Sequence, residues 1–221
     1  MKTSMNRIQR SLCTVLAVTA LAAALSACAP IIVGGAVMGG MIAVDRRTAG
    51  TQVEDEGIEL RAAKRISETL GDRAHVNITS FNRQALLTGE VISAQDRQKV
   101  EQIMAQVENT RSVVNDLAVM SHSSFSQRSN DTFITGKVRA SLVDARDISA
   151  NSFKVVTERG IVYLMGRVSQ REAQRATEIA RGVGGVNKVV RVFEIVSEEE
   201  LRRIATQPAP VTQDAAGAPS R

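Results

Sequence analysis

Ile58, Ala62 and Ile66 recur at every fourth position, the spacing of a single helical face, and Val100, Ile103, Met104 and Val107 form a second such stripe. Between them Ile78 and then Leu87, Gly89 and Val91 fall at strand-like positions on either side of the turn Asn82-Arg83-Gln84, and Val113, Leu117 and Val119 predict a closing strand. The same pattern then returns. Asp55, Ile58, Ala62 and Ile66 reappear 76 residues later as Asp131, Ile134, Val138 and Leu142. Ile78, Leu87, Gly89 and Val91 reappear as Val155, Leu164, Gly166 and Val168, and the second helical stripe as Ala176, Ile179, Ala180 and Val183. Val189, Phe193 and Ile195 repeat the closing strand. In this copy the hairpin signal is sharper, because Phe153, Val155 and Thr157 alternate up to Glu158-Arg159-Gly160.

The repeat predicts an α+β protein of two tandem α-β-β-α-β units, residues 51–120 and 129–197, each a small three-stranded mixed sheet with two helices on one face. A strand that arrives through a helical crossover is expected to pair parallel to a hairpin strand, leaving the other sheet face comparatively open. Gly89 and Gly166 lie inside strands and predict a bulge or a close helix approach. Residues 121–128 are polar and are read as a linker, with Asp131 as an N-cap or first-turn acid, together with Ser129, of the helix that follows. Residues 198–221 are expected to add a short helix from Glu198 to Ile204 and then a Pro-, Ala- and Gln-rich disordered tail.

The first 27 residues read as an export signal: Lys2, Arg7 and Arg10 precede an apolar run from Leu12 to Leu25. Leu25-Ser26-Ala27-Cys28 resembles the bacterial lipobox, which implies cleavage before Cys28 and acylation of that residue. Several acyl chains at about 0.8 kcal/mol per buried methylene make a durable anchor. Ala29 in place of Asp after the cysteine resembles the sorting signal for an outer membrane, so the expected location is its periplasmic face. Residues 28–50 then form a glycine-rich tether. Its apolar segment 31–44 is too short for a hydrocarbon core that needs about 20 helical residues, and it either lies near the membrane or packs on the first unit.

Composition narrows the chemistry. Cleavage removes Cys13 and lipid consumes Cys28, which excludes disulfides and thiol catalysis. His75 and His122 are the only histidines, so no metal site, cofactor or catalytic constellation is expected, and no small-molecule substrate. The leader holds three of the 28 basic residues, and the remaining 25 against 23 acidic ones are no nucleic-acid footprint. Charge does divide the copies: residues 51–120 hold 8 Lys/Arg against 11 Asp/Glu, residues 129–196 hold 11 against 7. Each cation near an anionic bilayer contributes about 1 kcal/mol, which makes the second copy the candidate membrane reader.

The duplicated unit, with glycine in the second strand in Leu87-Thr88-Gly89-Glu90-Val91 and Leu164-Met165-Gly166-Arg167-Val168, resembles the BON domain. With the lipobox and Asp45-Arg46-Arg47-Thr48, the chain resembles the dual-BON outer-membrane lipoproteins from Cys28 to about Val196. The resemblance implies binding of anionic phospholipid, enrichment at the division septum, support of outer-membrane integrity and, in some relatives, influence on peptidoglycan amidases.

Phe133 is the candidate lipid-contacting residue, because the shared core does not require it and the first copy has Gly57 there. Lys137 follows one turn later on the same face, and Thr132, Ile134 and Arg139 complete the predicted phospholipid-binding set. In the resembled family the corresponding aromatic, often Trp, belongs to the lipid-contacting helix. The alternatives are that Phe133 caps the core or fills a gap between the copies. Arg171 and Arg175, with Arg181, either extend the basic face or are ordinary solvated residues. A protein-interaction scaffold is the second functional expectation, with the acidic first copy and an open sheet face docking an envelope protein such as an assembly factor or an amidase activator.

Overall fold

The computed structural model describes residues 45–206. Cys28, the leader, the glycine-rich segment 31–44 and the tail after Thr206 lie outside the described residues. The first copy runs α1 (Ala49–Leu70), β1 (Ala74–Phe81), β2 (Gln84–Val91), α2 (Ala94–Ala105), β3 (Ser112–Asn115) and β4 (Ala118–Val119). The second runs α3 (Phe125–Asp144), β5 (Phe153–Glu158), β6 (Ile161–Val168), α4 (Gln170–Arg181) and β7 (Lys188–Ile195), and α5 (Glu198–Thr206) follows. Each long helix opens on a hydroxyl cap, Thr48, Ser93, Ser124 or Ser169, whose side chain takes a backbone N–H of the first turn.

In each sheet the middle strand pairs antiparallel with its hairpin partner and parallel with the strand that returns after the second helix, giving β1-β2-β3 with β4 continuing beside β2, and β5-β6-β7. The repeated apolar positions build two matching cores. Ile58, Ala62 and Ile66 meet Leu87, Val91, Val100 and Met104 in the first; Ile134, Val138 and Leu142 meet Leu164, Val168, Ala176 and Ala180 in the second. Gly89 answers to the neighbouring strand β1, and Gly166 to the 3-10 turn Ala150–Ser152 that leads into β5. A Cβ on Gly89, whose φ is +107°, would stand 2.1 Å from the His75 carbonyl oxygen, and one on Gly166 2.4 Å from that of Ser152.

Three sequence expectations change. The sheet faces turned away from the helices are not open. Leu86 and Phe81 from the first sheet and Tyr163, Met165 and Val192 from the second form a third apolar cluster that joins the copies face to face. The lone tyrosine is fully buried there and its hydroxyl donates to Asp116 Oδ2 at 2.7 Å. Second, α3 begins at Phe125, inside the stretch read as linker, because Ser124 and Gln127 form a reciprocal capping box.

Third, Asp131 therefore lies in the interior of α3 and caps no helix. Its carboxylate accepts the backbone N–H of Arg159 and of Gly160 at 2.8 Å each, in the β5–β6 turn. Asp55 does the same for Asn82 and Arg83 at 2.8 and 2.7 Å, and adds Ser80 Oγ and Arg47. Both turns place their two central residues at positive φ, between 51° and 71°, the mirror-type geometry that suits a two-residue hairpin. The acid shared by the repeats is a clamp that fixes each hairpin to its first helix.

The segment before α1 grips both copies. Arg47 pairs with Asp55 at 2.7 Å and stacks 4.3 Å from the Phe81 ring centroid. Arg46 makes a bidentate pair with Glu172 at the start of α4, both distances 2.7 Å, and donates to the Arg167 carbonyl. Burial alone would raise the Glu172 carboxyl, yet the Arg46 guanidinium and the Ser169 N–H hold it below the ordinary range.

Candidate functional site

The outward pole of α3 carries the candidate surface. Ile134, Val138 and Leu142 point into the core, so the residues on the opposite side of the helix are those near Phe125, Ser129, Phe133, Gly136, Ala140 and Val143. Phe125 is 79% exposed, Phe133 65% and Val143 67%, large apolar side chains on one stripe along a single helix with small residues between them. Arg128, Lys137 and Arg139 flank the stripe. An apolar ridge between cations is the arrangement of a helix lying on an anionic bilayer surface.

Each predicted residue has a definite place in this frame. Phe133 lies on the ridge, in the interior of α3 rather than at its start, with Lys137 Nζ 5.0 Å from its ring centroid. The Lys137 amine also donates to the Gly184 carbonyl in the loop after α4. Its counterpart Arg61 donates to the Glu108 carbonyl in the first copy, so the tie between helix and loop is common to both and Lys137 has a structural duty beside its charge.

Thr132 is exposed and its hydroxyl donates back to the Arg128 carbonyl at 3.0 Å. Ile134 is 1% exposed and belongs to the core, so it supports the ridge from behind and offers nothing to a headgroup, a correction forced by the helical period. Arg139 is exposed beside a cavity of about 420 Å³ whose lining includes Arg47, Leu142, Val143, Phe153 and Lys154. Arg171 and Arg175 lie on α4 and both reach Asp147, one through its carbonyl at 3.1 Å and the other through its carboxylate at 2.9 Å. Arg175 and Lys137 line one groove between α3 and α4. Sequence reasoning misses Phe125 and Val143: the first lies in the polar stretch 121–128 that reads as a linker, and the second is a lone apolar residue next to a core position.

The histidines are brought together although they come from separate segments. His75 and His122 have ring centroids 6.0 Å apart. Glu90, fully buried, accepts from Ser123 N and Oγ, from Arg159 Nη1 at 3.2 Å, and faces His75 Nδ1 at 3.2 Å. Burial pushes the Glu90 carboxyl up, but these donors outweigh it and hold it below the usual range. The Ser123 hydroxyl is turned to the acid and His75 Nε2 faces Arg128 at 3.3 Å, so serine and imidazole do not form a nucleophile–base pair. Arg159 also takes the Gly89 carbonyl at 3.0 Å, between the β3 and β4 pairings. The cluster is a polar joint between copies. Among the described residues no group of His, Cys, Asp and Glu could hold a metal ion, and no helix is long and apolar enough to cross a membrane.

Two hairpin sheets clamped by a helix acid, each with helices on one face only, are the repeat of a known family: the BON domain model matches residues 54–121 and 130–197. The chain is 34% identical over 173 residues to the Outer membrane lipoprotein DolP of Haemophilus influenzae, covering 77% of this chain and 89% of that protein. It is 34% identical over 155 residues to the 21 kDa hemolysin of Actinobacillus pleuropneumoniae, covering 69% and 80%. A shorter match, 43% over 61 residues, joins 27% of the chain to 30% of the Osmotically-inducible protein Y of Escherichia coli. The chain belongs to the BON-domain family, as a dual-BON outer-membrane lipoprotein.

Proposed function

We propose that this is a non-enzymatic protein, anchored through acylated Cys28 to the periplasmic face of the outer membrane, whose second BON domain binds anionic phospholipid through the outer face of α3. The observation that carries the reading is the exposed ridge of Phe125, Phe133 and Val143 between Arg128, Lys137 and Arg139. Apolar side chains supply insertion and the cations supply selection for negative headgroups. The cavity beside Arg139 and Lys154, with its apolar floor, offers room for a headgroup next to the ridge. The same chemistry recruits the protein to anionic lipid at the division septum, where it supports outer-membrane integrity.

The test is sedimentation of the protein with vesicles of neutral lipid and of neutral lipid mixed with phosphatidylglycerol, at low and high salt. Recruitment that needs the anionic lipid, and falls with Phe133→Ala and Phe125→Ser while the melting temperature stays fixed, supports the reading. Equal recruitment by both vesicles, or no response to either substitution, overturns it.

A further inference from the structure

A second surface adjoins the α3 surface through Asn77, Val156, Thr157 and Glu158, which also line a pocket with Arg128 and Thr132, and it carries the opposite charge. A groove of about 680 Å³ runs between α1 and the hairpin edge strands of the two copies, lined by Glu56, Glu59 and Leu60 from α1, residues 76–79 of β1 and residues 156–158 of β5. Three carboxylates border it and no Lys or Arg does. Leu60 stands 72% exposed at its rim, a large apolar side chain that neither core uses.

The floor of the groove is an open strand edge. Among the described residues β1 pairs only with β2, and Phe81 and Gln84 flank a two-residue turn, so they are a hydrogen-bonded pair and the alternation carries to Thr79 and Asn77. The backbone groups of Ser80, Ile78 and Val76 therefore point outward. That of Ser80 is taken, its N–H donating to Glu59 Oε1 at 2.7 Å, which fixes the direction of the others. Natural edges are usually blunted by lysine or proline, and here the half-buried Val76 and Ile78 carry neither. At the far wall Glu158 is buried, and among the described residues its side chain accepts from Asn77 Nδ2 at 2.9 Å. Burial, and then the nearby charge of Glu90, push its carboxyl above the usual range against the pull of Asn77 and the Arg159 charge, and no ion pair to it is made among the described residues.

We propose that this groove docks an extended, basic protein segment, which adds as a strand to the β1 edge through the backbone of Val76 and Ile78, lays apolar side chains on Leu60, and offers Lys or Arg to Glu56 and Glu158. The chemistry selects the partner. Backbone hydrogen bonds reward any extended chain, and the acidic border selects positive charge on the side chains that alternate outward. An anionic lipid surface is repelled by the same border, so this face and the α3 ridge do not compete for one ligand.

The test uses the full-length protein in neutral detergent and a fluorescent peptide that alternates valine with lysine and arginine, followed by anisotropy. Saturable binding is expected, weakened about tenfold by Leu60→Asp and by Glu56→Lys, both at exposed positions that leave the fold intact. A copy of the peptide N-methylated at alternate amides, which keeps its charge but cannot complete a strand ladder, is expected to lose binding. Equal affinity for the N-methylated peptide, or indifference to both substitutions, would overturn the assignment. So would loss of binding in Phe133→Ala, which would trace the peptide to the α3 ridge.

Discussion

The first helices of the two copies fold over matching cores and show different outer faces. On α1 the positions matching Thr132, Phe133, Gly136, Ala140 and Val143 hold Glu56, Gly57, Leu60, Lys64 and Ser67, and Lys64 pairs loosely with Glu68 along the helix. The inner faces, Ile58-Ala62-Ile66 and Ile134-Val138-Leu142, are interchangeable in pattern and burial. The buried side of a repeat is held by packing, whereas its solvent side is free to acquire separate surface chemistry: aliphatic through Val53 and Leu60 with one acid and one lysine on α1, aromatic and cationic on α3.

The sharpest test of what the copies share is the hairpin clamp. Asp55→Ala is expected to cost about 3 kcal/mol and Asp131→Ala about 2 kcal/mol in denaturant unfolding, because each leaves buried turn amides without an acceptor and the first also strands Arg47. Equal costs, or a larger one for Asp131, would break the ranking.

A graded effect of similar origin is expected with acid. Asp55, Glu90 and Glu172 all have carboxyls held below their ordinary values, so the stability they contribute is complete above the unfolded range near pH 4 and is lost as pH falls through their folded values. Melting temperatures should decline below about pH 4, and Glu90→Gln and Glu172→Gln should flatten that decline.

What differs between the copies is read by exchanging outer faces. Moving Glu56 and Gly57 onto Thr132 and Phe133 should cut anionic vesicle binding about tenfold, the loss of one aromatic insertion. The reverse graft on α1 should restore little, since Gln52 and Ala63 stand there in place of Arg128 and Arg139 and only Arg61 matches a flanking cation. The smallest expected effect has the opposite sign. Glu158 has a raised carboxyl, so its ionised form weakens the fold at neutral pH; Glu158→Gln should raise the melting temperature by a degree or two, with the gain shrinking as pH falls through the folded value of Glu158.

The repeat, its element order and both cores were legible because they are written as spacings, and spacing survives without knowledge of the third dimension. The union of the two sheets was not inferred, although Ala85-Leu86-Leu87 and Val162-Tyr163-Leu164-Met165 are apolar at every position, the pattern of strands buried on both faces. The repeat marks only the helix-facing half of that alternation, Leu87 and Leu164, and carries no signal that Leu86, Tyr163 and Met165 meet across the far sheet faces. The start of α3 was missed for a related reason: Ser126 to Asn130 has no apolar period, and only the Ser124–Gln127 box marked the helix. Phe125 was lost with it, and the ridge was reduced to Phe133. The role of Asp131 needed the hairpin turn to be seen next to the helix, although one signal was available: Asp55 and Asp131 stand at the same distance before Arg83 and Arg159.

Arg46 and Arg47 are adjacent in sequence, yet one grips the second copy and the other the first. Tension applied to the chain upstream of Asp45 therefore divides between two bodies at a single peptide link. A pull from that side loads both copies at once, through Glu172 in one and Asp55 in the other.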